Sequence, residues 1–207
     1  MRRNLLDKVM VGLFVALTFG LAGCGGGGGN DNSGNTSAAG PLAKYAGTWV
    51  QGCDGHSRET TTFTSSNDGN TISVTSKDEY FADANCTGAV VATGTYEQPS
   101  FILQYKDTVN NASVKMLNGT TITATVDRGT GNSTGARVKY VGSGVTSSSI
   151  VGNTTKVHIV YNGGSTDLEI DDSSGGGEGA LLLLNNELLS LYPVTSTTFE
   201  VESRYIH

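Results

Sequence analysis

Thr121-Ile122-Thr123-Ala124-Thr125-Val126 alternates polar and apolar side chains at every step. Successive side chains leave a strand on opposite faces, so period two with threonine on the wet face marks antiparallel sheet with one side buried. The same alternation recurs in Thr71-Ile72-Ser73-Val74-Thr75 and in Thr198-Phe199-Glu200-Val201-Glu202. Turn signals separate the runs: Asn67-Asp68-Gly69, Asn118-Gly119, Gly129 to Gly135, Gly152-Asn153 and Asn162-Gly163-Gly164. Only 3 Pro occur in the chain, which fits central strands, where a missing N–H breaks the ladder. Strands are expected over 46–53, 57–65, 70–81, 87–97, 100–108, 112–117, 120–127, 136–142, 156–161, 166–170, 180–184, 187–192 and 197–206. The expected class is all-β, an antiparallel meander that hides its edges by closing into a barrel or, alternatively, by folding into a β-sandwich.

One segment supports two readings. Leu181, Leu184, Leu188 and Leu191 fall at spacings of three and four, the pattern of a short amphipathic helix. A hairpin turning at Asn185-Asn186 competes with it and agrees with the strand-like flanks.

Composition narrows the partners. Charged residues are 15% of the chain, hydrophobic ones 37%, and 29 residues are Gly, which excludes long charged helices and coiled coils. The formal net charge is −6. Loss of the first 23 residues would remove Arg2, Arg3, Lys8 and Asp7, leaving 10 Lys and Arg against 18 Asp and Glu, a net of −8. No nucleic-acid partner is expected, since phosphate backbones are bound by clustered positive charge.

At the N-terminus, Arg2, Arg3 and Lys8 precede an apolar run from Val9 to Leu21, followed by Leu21-Ala22-Gly23-Cys24. The run is shorter than the about 20 residues of a spanning helix and reads as the core of a signal peptide over 1–23. Leu21 to Cys24 resembles the lipobox of bacterial lipoproteins. That resemblance implies cleavage before Cys24, a diacylglyceride on its sulfur and an N-acyl chain such as palmitate on its amine. More than one acyl chain gives stable anchoring, at about 0.8 kcal/mol per buried CH₂. Gly25 follows the anchor where inner-membrane lipoproteins often carry Asp, so the resemblance implies the outer membrane, with the domain facing the periplasm or the cell surface. Residues 24–40 are rich in Gly, Asn and Ser and have nothing to bury; they read as a flexible tether with a reach on the order of 20–25 Å. The 167 residues from 41 to 207 then form one domain.

With Cys24 taken by lipid, Cys53 and Cys86 remain in an oxidising compartment and are expected to pair. A two-Cys metal site would need a further ligand, and His56 is the one close candidate.

Tyr45-Ala46-Gly47-Thr48-Trp49 opens the first strand with the single Trp of the chain. Gly47-Thr48-Trp49 resembles the opening motif of lipocalins and other calycin-type barrels. It is also similar to small proteobacterial lipoproteins of uncharacterised role that begin Tyr-x-Gly-Thr-Trp after a Gly-rich leash. Thr93-Gly94-Thr95-Tyr96-Glu97 resembles a strand of avidin-type proteins. The resemblance implies a lipocalin-like barrel, Trp49 at its closed floor, a basic residue such as Arg204 over the indole, and a small apolar ligand inside. A lone Trp does not build a biotin site of the avidin kind, and no long C-terminal helix follows Thr195.

No catalytic constellation emerges. Gly131-Asn132-Ser133-Thr134-Gly135 matches the hydrolase G-x-S-x-G pattern, but Asp127 to Ala136 reads as a polar loop without the strand and helix a nucleophile elbow requires. His158 lies on a strand with no nameable partner. Asp167, Glu169, Asp171, Asp172 and Glu178, read as an acidic loop with Gly175 to Gly177, form a weak calcium candidate, because hard cations take carboxylate oxygens on flexible loops. No other metal and no cofactor beyond the covalent lipid is expected. The expected role is a membrane-anchored, non-catalytic binding or envelope-interaction module of unknown protein partner; the alternative is a carrier of a small apolar ligand.

Overall fold

The computed structural model describes residues 40–96 and 98–207. The signal-peptide, lipidation and tether readings, Cys24 included, lie outside the described residues. Gly40 already belongs to the folded body, its N–H donating to the Asp68 carbonyl at 3.0 Å.

Among the described residues, thirteen strands follow a one-turn 3₁₀ helix at Ala43–Tyr45. They are β1 (Gly47–Gln51), β2 (Ser57–Ser65), β3 (Thr71–Asp83), β4 (Thr87–Tyr96), β5 (Phe101–Lys115), β6 (Thr121–Thr134) and β7 (Val138–Val141). Then come β8 (Val145–Val151), β9 (Thr154–Tyr161), β10 (Gly164–Asp171), β11 (Ser174–Leu184), β12 (Glu187–Pro193) and β13 (Thr198–Ile206). The fold is an all-β antiparallel meander. Ladder hydrogen bonds join β1, β2, β3, β5, β6, β11, β12 and β13 into a ring of eight strands. β4 and β7 extend the sheet from β3, and β8, β9 and β10 form a separate three-stranded sheet. The one parallel pairing among the described residues sets Thr198–Glu200 of β13 beside Ser113–Lys115 of β5.

Three apolar clusters hold these layers. Inside the ring, Leu42, Tyr45, Trp49, Phe63, Ile72, Leu103, Leu181, Leu188 and Tyr205 pack together. A second cluster lies on the opposite face of β11 and β12, where Ala180, Leu182, Leu189 and Leu191 meet Ala112, Val114, Val126, Phe199 and Val201. The distal half of the β5–β6 hairpin therefore covers the outer side of β11 to β13. The third cluster joins Ala92, Val138 and Tyr140 to Val157, Ile159 and Ile170 of the three-stranded sheet.

This second layer explains the leucine run. A strand buried on both faces carries near-continuous apolar residues, so Leu181 to Leu184 and Leu188 to Leu191 lose period two. They form a hairpin turning at Asn185 and Asn186, whose φ values of 53° and 63° suit the tight turn, and the helix alternative falls.

The structure corrects four other expectations. The separate runs 100–108 and 112–117 are one strand, β5, bent by irregularities at Tyr105/Asp107 and Val109/Ala112 with Asn111 at φ 56°. The Gly-rich stretch after Asp127, expected as a loop, continues β6 to Thr134. Missing Cβ atoms there make room for neighbours: a Cβ on Gly131 would sit 2.2 Å from the Phe101 ring, and one on Gly129 2.7 Å from Leu103. The acidic and Gly-rich stretch beyond the expected strand 166–170, read as a loop, is also largely strand, with only Asp172 and Ser173 between β10 and β11. Finally, β8 was not expected at all; its residues after Val145 are exposed, so no apolar period marks it.

Cys53 and Cys86 form the disulfide expected of them, at a sequence separation of 33.

Candidate functional site

The hairpin of β2 and β3 brings the site together. Its register sets Phe63 opposite Val74, Thr61 opposite Ser76 and Glu59 opposite Asp78. Alternation keeps all six on one face, so the column runs from apolar through hydroxyl to carboxyl as it climbs from the ring interior to its mouth. The middle pair is hydrogen-bonded, Thr61 Oγ1 to Ser76 Oγ at 3.2 Å, and Thr61 Oγ1 donates to Glu59 Oε1 at 2.9 Å. Asp78 accepts from the Tyr140 hydroxyl at 2.7 Å. Tyr140 reaches it across Gly94, where a Cβ would lie 2.4 Å from the phenol ring.

Like charges directly opposite on paired strands are unfavourable. Burial, then the charge of Glu59, pushes the Asp78 carboxyl up to about 7, against the lowering effect of the Tyr140 hydrogen bond. Glu59 is likewise raised by burial, opposed by hydrogen bonds from Ser76 and Thr61. The basic neighbours are engaged elsewhere: Arg58 Nη2 at 3.5 Å and Lys77 Nζ at 2.7 Å both meet Glu79.

Two spaces meet at this pair. Inward lies a recess of about 60 Å³ walled by Phe101, Leu103, Leu181 and Leu191. Ser190 and Tyr205 also line it, almost fully buried; the Ser190 hydroxyl has no hydrogen-bond partner among the described residues, whereas Gln51, Thr61 and Ser203 surround the Tyr205 hydroxyl. Outward lies a cleft of about 580 Å³ between the loop at 52–56 with the strand ends flanking it, β3 and the three-stranded sheet. His56 stacks on Tyr161 at 3.9 Å between ring centroids and hydrogen-bonds the Phe81 carbonyl at 3.1 Å, joining loop to sheet. The disulfide anchors the same loop.

The motif residues pair with the lower part of the same column, Gly47 opposite Phe63 and Trp49 opposite Thr61. Trp49 is buried and donates from Nε1 to the Tyr45 carbonyl at 3.0 Å. His207, not Arg204, stacks on the indole, with ring centroids 3.7 Å apart. Arg204 faces solvent and binds Glu187, Nε to Oε2 at 2.7 Å. Gly47 sits at φ 146°, and Thr48 shares a hydroxyl contact with Thr62 at 3.3 Å. Beneath them buried Asp127 accepts from the Tyr45 hydroxyl at 2.7 Å and from Thr108 at 2.6 Å, and pairs with Lys44 at 2.6 Å.

The remaining sequence candidates are dispersed. Asp167 pairs with His158 at 2.6 Å, Glu169 with Lys156 at 2.6 Å, and Glu178 with Lys106. Asp171 caps the Ser173 N–H at 2.9 Å, while Asp172 is buried against Thr155. Among the described residues no group of three or more His, Cys, Asp and Glu converges as a metal site. His56 stands by a closed disulfide, which leaves no thiolate ligand. Ser133 lies in β6 and donates to the Ser173 carbonyl at 2.9 Å, with no strand-turn-helix elbow around it. Glu59 and Asp78 were missed, although parity places Glu59 on the face of Phe63 and Asp78 on that of Ile72 and Val74.

Compared with protein-family models, curated proteins and solved structures, the chain matches none. No described helix is long and apolar enough to cross a membrane.

Proposed function

We propose that this chain is a lipid-anchored envelope protein, tethered to the outer membrane through Cys24, whose β domain is a non-catalytic binding module with its site in the cleft beside the ring mouth. The carrying observation is where the space lies. The interior recess, at about 60 Å³, is far below the roughly 300–1,000 Å³ of ligand sites, whereas the cleft at about 580 Å³ is within that range. That favours a cleft-bound partner over a lipocalin-like cargo inside the ring. The lipobox and the Gly-rich leash support the anchor, and the disulfide accords with an exported domain.

Two measurements test the reading. Mass spectrometry of the membrane-extracted chain should find a mature N-terminus at Cys24 carrying acyl chains; an unlipidated N-terminus overturns the anchor. Titration with a long-chain fatty acid should leave Trp49 fluorescence and Tm unchanged. Saturable uptake with a shift in Trp49 emission overturns the cleft in favour of an interior carrier.

A further inference from the structure

The Glu59–Asp78 pair and the buried Ser190 and Tyr205 hydroxyls behind it line one continuous recess. Both carboxyls face the cleft from the inner side of the β2–β3 hairpin, and both also line the recess. Among the described residues neither has a cation partner. Arg58 also lines the cleft, but its guanidinium lies over the Phe81 ring and pairs with Glu79, as does Lys77 from the far face. The cleft is also lined by Asp54, by Asp167, which is hydrogen-bonded to His158, and by Glu169, which pairs with Lys156; the two carboxyls that face each other across paired strands are Glu59 and Asp78. Behind it, Ser190 and Tyr205 are 5% and 0% exposed; Ser190 Oγ has no hydrogen-bond partner among the described residues, and the Tyr205 hydroxyl lies among the polar side chains of Gln51, Thr61 and Ser203. A buried polar group without a partner is costly, and a native structure rarely keeps one on a cavity wall without something to satisfy it.

We infer that the cleft binds a small organic cation: a primary ammonium on a short aliphatic arm that ends in a hydroxyl. The ammonium offers three N–H donors and a compact charge, which suits two facing carboxylates. The recess equals about two water volumes at roughly 30 Å³ each, room for a short arm and not for a chain. Phe101 and Leu103 would cover the methylenes, and the terminal hydroxyl would reach Ser190 and Tyr205. The charge excludes carboxylates and phosphates from the same place. This inference rests on the cleft being the binding site and names the chemistry it takes.

Isothermal titration calorimetry of the full chain at low salt tests it with aminopropanol, propylamine and propanediol as probes. Aminopropanol should bind saturably, one per chain, with propanediol at least about tenfold weaker, the scale of a charge-assisted hydrogen bond. Glu59→Gln and Asp78→Asn should each weaken aminopropanol by a similar factor. Ser190→Ala should weaken aminopropanol several-fold and leave propylamine unchanged, and it retains both carboxyls should their variants misfold. Equal binding of propanediol, unchanged affinity in these variants, or no saturation with aminopropanol overturns the inference. A null result here combined with a negative fatty-acid titration removes only the cation chemistry; a positive fatty-acid titration removes the cleft itself.

Discussion

Asp78→Asn removes one of two facing carboxyls and keeps an acceptor for the Tyr140 hydroxyl at 2.7 Å. The carboxyl rises from its ordinary 3.8 to about 7, chiefly through burial. Each unit corresponds to about 1.4 kcal/mol between protonation states, so the ceiling is roughly 4 kcal/mol; for a half-buried group about 2–4 is expected. The sign follows from proton uptake. Between about pH 4 and 7 the folded protein holds a proton that the unfolded chain has released, so stability is full below the unfolded value and is lost as pH rises through the folded one. Wild type should therefore lose that increment from about pH 4 to 7, and Asp78→Asn should not. Urea midpoints of both proteins, disulfide intact, at stepped pH provide the assay. The variant should match or trail wild type at the acid end and exceed it by about 2–4 kcal/mol near pH 8. Parallel pH profiles, or a variant less stable at alkaline pH, refute the facing-carboxylate account.

Three other perturbations probe the scaffold. Tyr45→Phe deletes the hydroxyl that donates to buried Asp127 and should cost about 1.5–3 kcal/mol in urea unfolding, with cleft binding unchanged. Gly131→Ala places a methyl 2.2 Å from the Phe101 ring and should cost about 1–3 kcal/mol; adding Phe101→Leu should restore part of it, a coupling that independent sites would not show. Removing both Cys53 and Cys86 as serines opens a loop of separation 33 and should cost about 3–4 kcal/mol by denaturant unfolding.

The strands that face water on one side were legible in the text, because Thr-Ile-Thr alternation records a half-buried face directly. Harder were the segments where that condition fails. β11 and β12 are buried twice, so their leucines show helix-like spacing; β8 is exposed along most of its length and shows no spacing at all. In β6 the glycines at 129 and 131 lie under Leu103 and Phe101 within a strand, a role that composition cannot distinguish from a turn. The disulfide was accessible by elimination among 3 cysteines. Glu59 and Asp78 stood in plain view, and strand parity gave each its face. What was missing was the register across the Asn67-Asp68-Gly69 turn, which alone brings one opposite the other. The acidic run at 167–172 attracted attention because it is contiguous in sequence, yet Asp167 hydrogen-bonds His158 and Glu169 pairs with Lys156 across the strands, Asp171 binds the adjacent turn and Asp172 is buried.

The central claim, a carboxylate pair poised at the ring mouth to receive a cation, is tested most directly by carbon-detected NMR titration of the Glu59 and Asp78 carboxyls in the full chain. Asp78 should titrate near 7 and Glu59 above its ordinary value, and aminopropanol should move both midpoints downward as the ammonium favours the charged forms. Ordinary carboxylate midpoints for both, indifferent to aminopropanol, contradict the account.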